Sequence, residues 1–323
     1  MISALLKTTM PKLIKNMRKK LEMLLARFAM ITVPFLPRRL ILTLARMAGA
    51  IGFYCVPRQR RLTMANLDVA FGESKSAYEK KRIALKAFQN MALVFIDFFW
   101  FARRTLERVA KYVSLDQSVA DYFPPAPALI VTAHFGNWEV MGRSVIASGR
   151  PHFAVAAPSS NPKVDMLLDA FRMSGNAKMI AMKGALRKIV DALRHGKSVA
   201  LLLDQNTKPK DGGIFVDFFG LPVPMSASVA MLAERLNIPI TPTFCHAQPN
   251  GHYIVYSRPL IRTVSAMSGG PGSVLRLTQK IAAVFQKEIE ESPEQWMWMY
   301  KRWKHIASGR SNAEYPYYAK HLQ

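Results

Sequence analysis

From residue 128 onward the chain alternates short apolar runs with stretches of helical periodicity, and this alternation restricts what it can fold into. Runs at 128–133, 153–157, 178–181, 198–203, 240–245 and 253–256 have the length and composition of strands. Helical spacing at 138–148, 163–174, 184–195, 226–237 and 273–291 lies between most of them. Apolar runs that lack polar alternation are strands buried on both faces. The pattern therefore predicts an α/β fold, a mostly parallel central sheet flanked by helices, with functional groups at the carboxyl ends of strands. The proline-rich Phe123-Pro124-Pro125-Ala126-Pro127 marks the start of this domain, expected to run over 123–323. Residues 62–122 read as mostly helical and pack on the core. Their long segment 76–100 ends in the aromatic-rich Phe95-Ile96-Asp97-Phe98-Phe99-Trp100.

The first 61 residues carry a different signal. They hold thirteen Lys and Arg against a single acid, Glu22, and so supply about half of a formal net charge of +24 in a chain of 323 residues. Apolar residues in this segment keep helical spacing. Leu13, Met17, Leu21, Leu24 and Phe28 form one stripe, with Lys12, Lys15 and Lys19 on another face; Leu40, Leu44, Met47, Ile51 and Tyr54 form a second. Pro34 and Pro37 separate the two. The longest charge-free stretches, 28–37 and 47–57, fall short of the ~20 apolar residues of a spanning helix. Ala48-Gly49-Ala50 mimics a signal-peptide cleavage site, but arginines break the apolar region such a signal needs. Residues 1–61 are therefore expected to be basic amphipathic helices lying on an anionic membrane surface, with arginines reaching lipid phosphates. Packing of the same stripes on the protein's own core is the competing reading, and a helix can do both.

Several function classes drop out. Zinc-finger spacing, RNP-like signatures and basic zippers are missing, so nucleic acid is not the expected partner of the charge. Cys55 and Cys245 match no metal or disulfide spacing, which points to a reducing compartment. His152, His195, His246 and His252 lack ligand spacing and are expected in surface or loop roles. Ser226 and Ser228 lack the glycine elbow of a serine hydrolase.

The chemistry concentrates in one segment. The apolar run 128–133 ends at His134, Gly136 makes a turn, and a helix begins near Asn137 with Glu139 in its first turn. A carboxylate on one imidazole nitrogen fixes the tautomer and leaves the other free to take a proton from a hydroxyl. Glu139 is expected to fold back and supply that carboxylate. With no serine or cysteine nucleophile beside it, such a dyad suits an external hydroxyl attacking an activated acyl group. The plainer reading is a satisfied histidine near a helix whose first-turn Glu complements the dipole.

The frame His134-Phe135-Gly136-Asn137-Trp138-Glu139 resembles the H-x4-D/E block of the lysophospholipid and glycerolipid acyltransferase superfamily. Within it the chain is most similar to the bacterial lipid A biosynthesis (lauroyl/myristoyl) acyltransferases. The likeness includes Arg61-x4-Asn66-Leu67-x2-Ala70-Phe71, Asn161-Pro162 with Arg172, Lys183-Gly184-Ala185 before Arg187, and Asp204-Gln205. It continues through Gly213-x-Phe215-Val216-x-Phe218-Phe219-Gly220 and Pro293-Glu294-Gln295-Trp296-x-Trp298-x2-Lys301-Arg302-Trp303-Lys304. The FPEGTR-type block of the glycerol-phosphate branch is missing; Asp204-Gln205 stands in its place.

The resemblance implies a glycerolipid acyltransferase-like fold and transfer of an acyl group from acyl carrier protein or coenzyme A to a hydroxyl of a membrane lipid, with a lipid A precursor as the expected acceptor. It also implies His134 as general base with Glu139 as partner, no cofactor or metal, no covalent acyl-enzyme, and the cytoplasmic face of the bacterial inner membrane as the location. A lysophospholipid or another glycolipid as acceptor, and a non-catalytic lipid-binding protein, are the rivals. Substrate-binding candidates are Arg172, Asp204, Gln205, Asn137 and Arg143. Arg172 leads because a guanidinium clamps phosphate in two-pronged fashion; Asp204 is expected to face the acceptor from a strand end. Lys208, Lys210, Gly212 and Gly213 form a basic loop able to approach phosphates. Phe215, Phe218, Phe219 and Leu221 line an acyl-chain groove or belong to the core. Trp296, Tyr300 and Trp303 fall on one helical face, toward a lipid–water interface or packed inward.

Overall fold

The computed structural model describes residues 17, 23–24, 26–122, 127–147, 152–156, 178–181, 184–262 and 272–322. A short apolar helical segment, Ala26–Phe35, leads into α1 (Arg38–Cys55) and α2 (Pro57–Phe71). Pro57 has no N–H to continue α1, and the chain bends there by 91°. Helix α3 (Ala77–Trp100) starts at a capping box in which the Ser76 hydroxyl accepts from Glu79 N–H and the Glu79 carboxylate accepts from Ser76 N–H. Helix α4 (Thr105–Tyr112), strand β1 (Val113–Leu115) and α5 (Gln117–Tyr122) complete the helical half.

Strand β2 (Leu129–Thr132) enters the middle of the sheet and is buried at every position. It is followed by α6 (Trp138–Ala147), β3 (His152–Ala156), β4 (Lys178–Ala181), α7 (Ala185–Arg194) and β5 (Ser198–Leu202). Strands β6 (Gly213–Phe218) and β7 (Leu221–Ser226) form a separate hairpin. Then come α8 (Ser228–Leu236), β8 (Ile240–Ala247), β9 (Tyr253–Ser257) and the long α9 (Ser273–Glu291). The seven-stranded sheet has the order β1-β9-β8-β2-β5-β3-β4, parallel throughout except for β8 against β9. The expected α/β class and mostly parallel sheet are what the chain adopts.

Two features were not read from the sequence. Strand β1 is short and joins the sheet's edge by pairing with β9, a partner about 140 residues away. The β6–β7 hairpin carries Pro222 and Pro224, which disguise a strand; they are tolerated because β7 pairs with β6 alone among the long strands. Its turn, Phe219-Gly220, has φ of 52° and 76°, the left-handed geometry that matches hairpin twist. The helix expected at 163–174, with Asn161, Pro162 and Arg172, lies outside the described residues, as do Lys183, Leu13, Leu21 and the lysines at 12, 15 and 19.

The N-terminal helices resolve the competition between inward and outward stripes. Helix α1 packs on α3 through Ile41, Ala45, Gly49 and Phe53, all buried. The stripe read from the sequence, Leu40, Leu44, Met47, Ile51 and Tyr54, points away and stays 37–59% exposed. Met17, Leu24, Phe28, Ile31 and Phe35 extend the exposed apolar set. Among the described residues one single helix, α3, is long and apolar enough to cross a membrane by length and composition. Its buried Asp97 and its contacts with α1, α2 and α6 make it a strut of this fold.

The α1–α3 approach rests on glycine. A Cβ at Gly49 would lie 2.3 Å from Gln89 Cα, closer than any real contact. Gly49→Ala is expected to lower stability by about 1–3 kcal/mol, the usual cost of overpacking. Urea unfolding in detergent checks this; an unchanged midpoint would mean that the helices part without cost.

Candidate active site

Parallel pairing builds the site. Leu129 pairs with Val199 and Thr132 with Leu202 along β2 and β5, and Leu203 N–H continues the ladder to Thr132 carbonyl. Carried two residues past the strand ends, the same register sets His134 opposite Asp204. Asp204 Oδ1 lies 2.7 Å from His134 Nδ1, and Asp204 Oδ2 accepts from His134 backbone N–H at 3.0 Å. Trp296 Nε1–H donates to the same Oδ2 at 2.8 Å. The carboxylate, 2% exposed, is thus tied down by three donors. Because Nδ1 donates to Asp204, Nε2 carries the free lone pair. It lies 3.5 Å from Gln205 Nε2, at the outer limit of a hydrogen bond, on a side chain 15% exposed. Trp138 stands edge-on against the imidazole, ring centres 4.8 Å apart.

The turn after His134 requires its glycine. Gly136 has φ of 55°, and a Cβ there would fall 1.7 Å from the Cys245 carbonyl oxygen. Asn90 Nδ2 on α3 donates to the carbonyls of Gly136 and Gln295, and Met297 N–H donates to His134 carbonyl. Phe135 forms an antiparallel bridge with Trp296. The histidine backbone is held from both sides.

This geometry redistributes the roles read from the sequence. The acid on Nδ1 is Asp204 rather than Glu139, because strand pairing brings Asp204 there; Glu139, in the first turn of α6, acts on the imidazole through its charge. Asp204 faces the histidine and not an acceptor. Asn137 is fully buried: its Oδ1 caps α6 by accepting from Val140 N–H, and its Nδ2 donates to Tyr253 hydroxyl, so it is a cap and not a substrate contact. Arg143 is also buried. It donates to the carbonyls of Phe98 and Phe101 at the end of α3, where a cation complements the helix dipole. Gln205 remains exposed beside His134 Nε2. Arg172 lies outside the described residues.

The C-terminal aromatics form no helix beyond the short turn Pro293–Gln295. Trp296 and Trp303 are buried, Trp296 donating to the Asp204 carboxylate and Trp303 to Phe218 carbonyl. Tyr300 hydroxyl accepts from Asn206 N–H. They pack inward because the indole N–H groups find buried acceptors there. Phe218 joins the same aromatic core, while Phe215 lines an open groove of about 610 Å³ between β6 and α9. Asn66 explains the Arg61-x4-Asn66 block: its Nδ2 holds the carbonyls of Trp298 and Tyr300, each at 2.7 Å, and its Oδ1 accepts from Tyr318 hydroxyl. Among the described residues no group of three or more His, Cys, Asp and Glu side chains is arranged to hold a metal ion.

Burial pulls the His134 pKa down, but the Asp204 carboxylate outweighs it, with Glu139 adding to the effect, and the ring is held above its ordinary 6.5. Burial likewise pushes Asp204 up, and the His134 contact brings it below its ordinary 3.8. For His134 to act as a base it must be neutral, and that role predicts activity rising with pH along a limb above the ordinary histidine value of 6.5. Asp204→Asn removes the anion, lets the histidine pKa fall and frees the tautomer. The acid limb of kcat/KM should move to lower pH while kcat falls about 10²- to 10⁴-fold. A pH–rate profile reads both; an unmoved limb would mean that Asp204 does not face the reacting ring.

Comparisons with known proteins place the chain as a whole. The family described as bacterial lipid A biosynthesis acyltransferase matches residues 12–305. The chain is 26% identical over 284 residues to the lipid A biosynthesis palmitoleoyltransferase of Escherichia coli (strain K12), covering 86% of this chain and 89% of that protein. It is 25% identical over 205 residues to the phosphatidylinositol mannoside acyltransferase of Mycobacterium tuberculosis (strain CDC 1551 / Oshkosh), covering 62% and 61%. Among solved structures it resembles the 1-acyl-sn-glycerophosphate (LPA) acyltransferase, PlsC, from Thermotoga maritima, at 13% identity and a TM-score of 0.36, over 80% of this chain and 99% of that one. With a match that spans nearly its whole length, the chain belongs to the bacterial lipid A biosynthesis acyltransferase family and is an acyltransferase.

Proposed function

We propose that the protein moves a fatty acyl chain from a thioester of acyl carrier protein or coenzyme A to a hydroxyl of a membrane glycolipid, a lipid A precursor, at the cytoplasmic face of the bacterial inner membrane. The observation that carries this reading is the His134–Asp204 contact of 2.7 Å with Nε2 left open beside Gln205. The relatives named for lipid A and for phosphatidylinositol mannoside support a glycolipid acceptor.

The acceptor hydroxyl takes the place beside Nε2, and its proton passes to that nitrogen as its oxygen attacks the thioester carbonyl. Asp204 stabilises the resulting imidazolium. As the tetrahedral intermediate collapses, the C–S bond breaks, the ester C–O bond remains and the imidazolium returns the proton to the departing thiolate. No group on the enzyme is acylated, and the protein's contribution is a base held in one tautomer plus the alignment of two substrates. His134→Ala should abolish transfer from labelled acyl donor to a purified lipid A precursor while the protein stays folded. The product should be heavier by one acyl group in mass spectrometry. Equal turnover by this variant would falsify the assignment, and labelling of phosphatidylinositol mannoside or a lysophospholipid in its place would move the acceptor to the rival class.

The outward face of α1 supports a membrane-surface location. Leu40, Leu44, Met47, Ile51 and Tyr54 make an apolar strip, with Arg39, Arg46, Arg58 and Arg60 in the same pair of helices. An apolar strip beside cations is the composition of a helix that lies in an anionic interface, arginines at the phosphates. Met47→Glu with Ile51→Glu should weaken binding to phosphatidylglycerol-containing vesicles at least tenfold, with thermal stability in detergent unchanged. Flotation assays measure it; full binding by the double variant would place the membrane contact elsewhere.

A further inference from the structure

A buried chain of hydrogen bonds runs from the exposed N-terminal helix to the turn that carries His134. Arg38, the first residue of α1, forms a two-pronged contact with Asp97 on α3, and both its Nε and Nη2 also donate to Gly251 carbonyl. The Tyr253 hydroxyl on β9 donates to Asp97 Oδ2 and accepts from Asn137 Nδ2, the latter at 3.1 Å. Asn137 Oδ1 accepts from Val140 N–H, also at 3.1 Å, and so caps α6. Asp97, Tyr253 and Asn137 are fully buried and Arg38 nearly so.

The chain has a direction. A carboxylate can only accept, so Tyr253 must spend its single proton on Asp97. Its oxygen is then available to Asn137 only as an acceptor, which turns the Asn137 amide nitrogen toward Tyr253 and its oxygen toward Val140 N–H. Burial raises the Asp97 pKa overall, and the two-pronged Arg38 contact opposes it by favouring the carboxylate. The capped end of α6 begins with Trp138, whose ring stands against the imidazole, and Glu139, whose charge bears on it.

We infer that Tyr253 and Asp97 are positioning residues for the acyl transfer: through the cap at Asn137 they orient the first turn of α6 that walls His134. The inference deepens the function proposed above and rests on it. Neither residue touches substrate in this scheme; each acts through Asn137.

The experiment uses the full chain in detergent or membranes, with labelled acyl carrier protein thioester and lipid A precursor. Tyr253→Phe is expected to lower kcat per folded molecule at least tenfold with KM for the donor within twofold. It should also speed modification of His134 by diethyl pyrocarbonate at least fivefold, read by mass spectrometry. The comparison is Tyr256→Phe, on the opposite face of the same strand, which loses a hydrogen bond to Glu288 and not to the site. That variant should keep wild-type kcat and His134 reactivity even where its melting point falls. Asp97→Asn, nearly isosteric, can donate as well as accept and so removes the direction; it should repeat the Tyr253→Phe effect. A Tyr253→Phe enzyme with wild-type kcat and His134 reactivity overturns the inference, as does an effect no larger than that of Tyr256→Phe. If neither Tyr253→Phe nor Asp97→Asn folds, the chain serves folding alone and the inference is likewise overturned. Transfer that never depends on His134 in the parent protein removes the proposed function and this inference with it. Transfer that depends on His134 but not on Tyr253 removes only the latter.

Discussion

A buried carboxylate against an imidazole, at the carboxyl ends of two neighbouring parallel strands, is the contact on which the rest of the site depends. Asp204 is inaccessible to water, and an ion so placed is costly unless its lone pairs are filled. Three donors fill them: the His134 ring, the His134 backbone and the Trp296 indole. The arrangement holds the ring in one tautomer and leaves Nε2 as the basic atom. It also explains why the C-terminal tryptophans are internal: one of them completes the solvation of the acid.

The surroundings read as devices for keeping that contact rigid. Helix α3 reaches the turn after His134 through Asn90, and α2 reaches the C-terminal segment through Asn66. Arg302, buried with its burial pushing its pKa down to about 10, donates to Asn206 and to Pro224 carbonyl and so fixes the loop that follows Asp204. Each clamp spans a large separation in the chain, so the helical half and the sheet are one cooperative unit around the histidine. The cost of this rigidity is carried at glycines, Gly136 against Cys245 carbonyl and Gly49 against Gln89, where no side chain fits.

Much of the fold was legible in the residues. Helices α3, α6, α7, α8 and α9, whose bounds were read from the sequence, match them within about two positions, because apolar periodicity records which face is buried. The strands β2 to β5, β8 and β9 were visible as short, mostly apolar runs. The β6–β7 hairpin was hidden by Pro222 and Pro224, which carry the signature of a loop in any local window. The stripe on α1 was seen as apolar and expected outward, and it is; what was not seen is the second stripe, Ile41, Ala45, Gly49 and Phe53, which packs inward because helix packing selects the face that permits close approach.

The site divides along the same line. His134 at a strand end before a glycine turn follows from composition and order alone, since an apolar run must stop where the backbone leaves the sheet. Glu139 was the nearest acid in the chain and was therefore assigned to it. Asp204 is 70 residues away, and only the adjacency and register of β2 and β5 bring it to the ring. The sequence by itself determined most of the strands and helices and the histidine, because each is written in a short local window. The tertiary structure decided which acid serves the histidine, which asparagine is a cap, and which aromatics face inward, because strand order and buried hydrogen-bond partners depend on residues that meet only when the chain is folded.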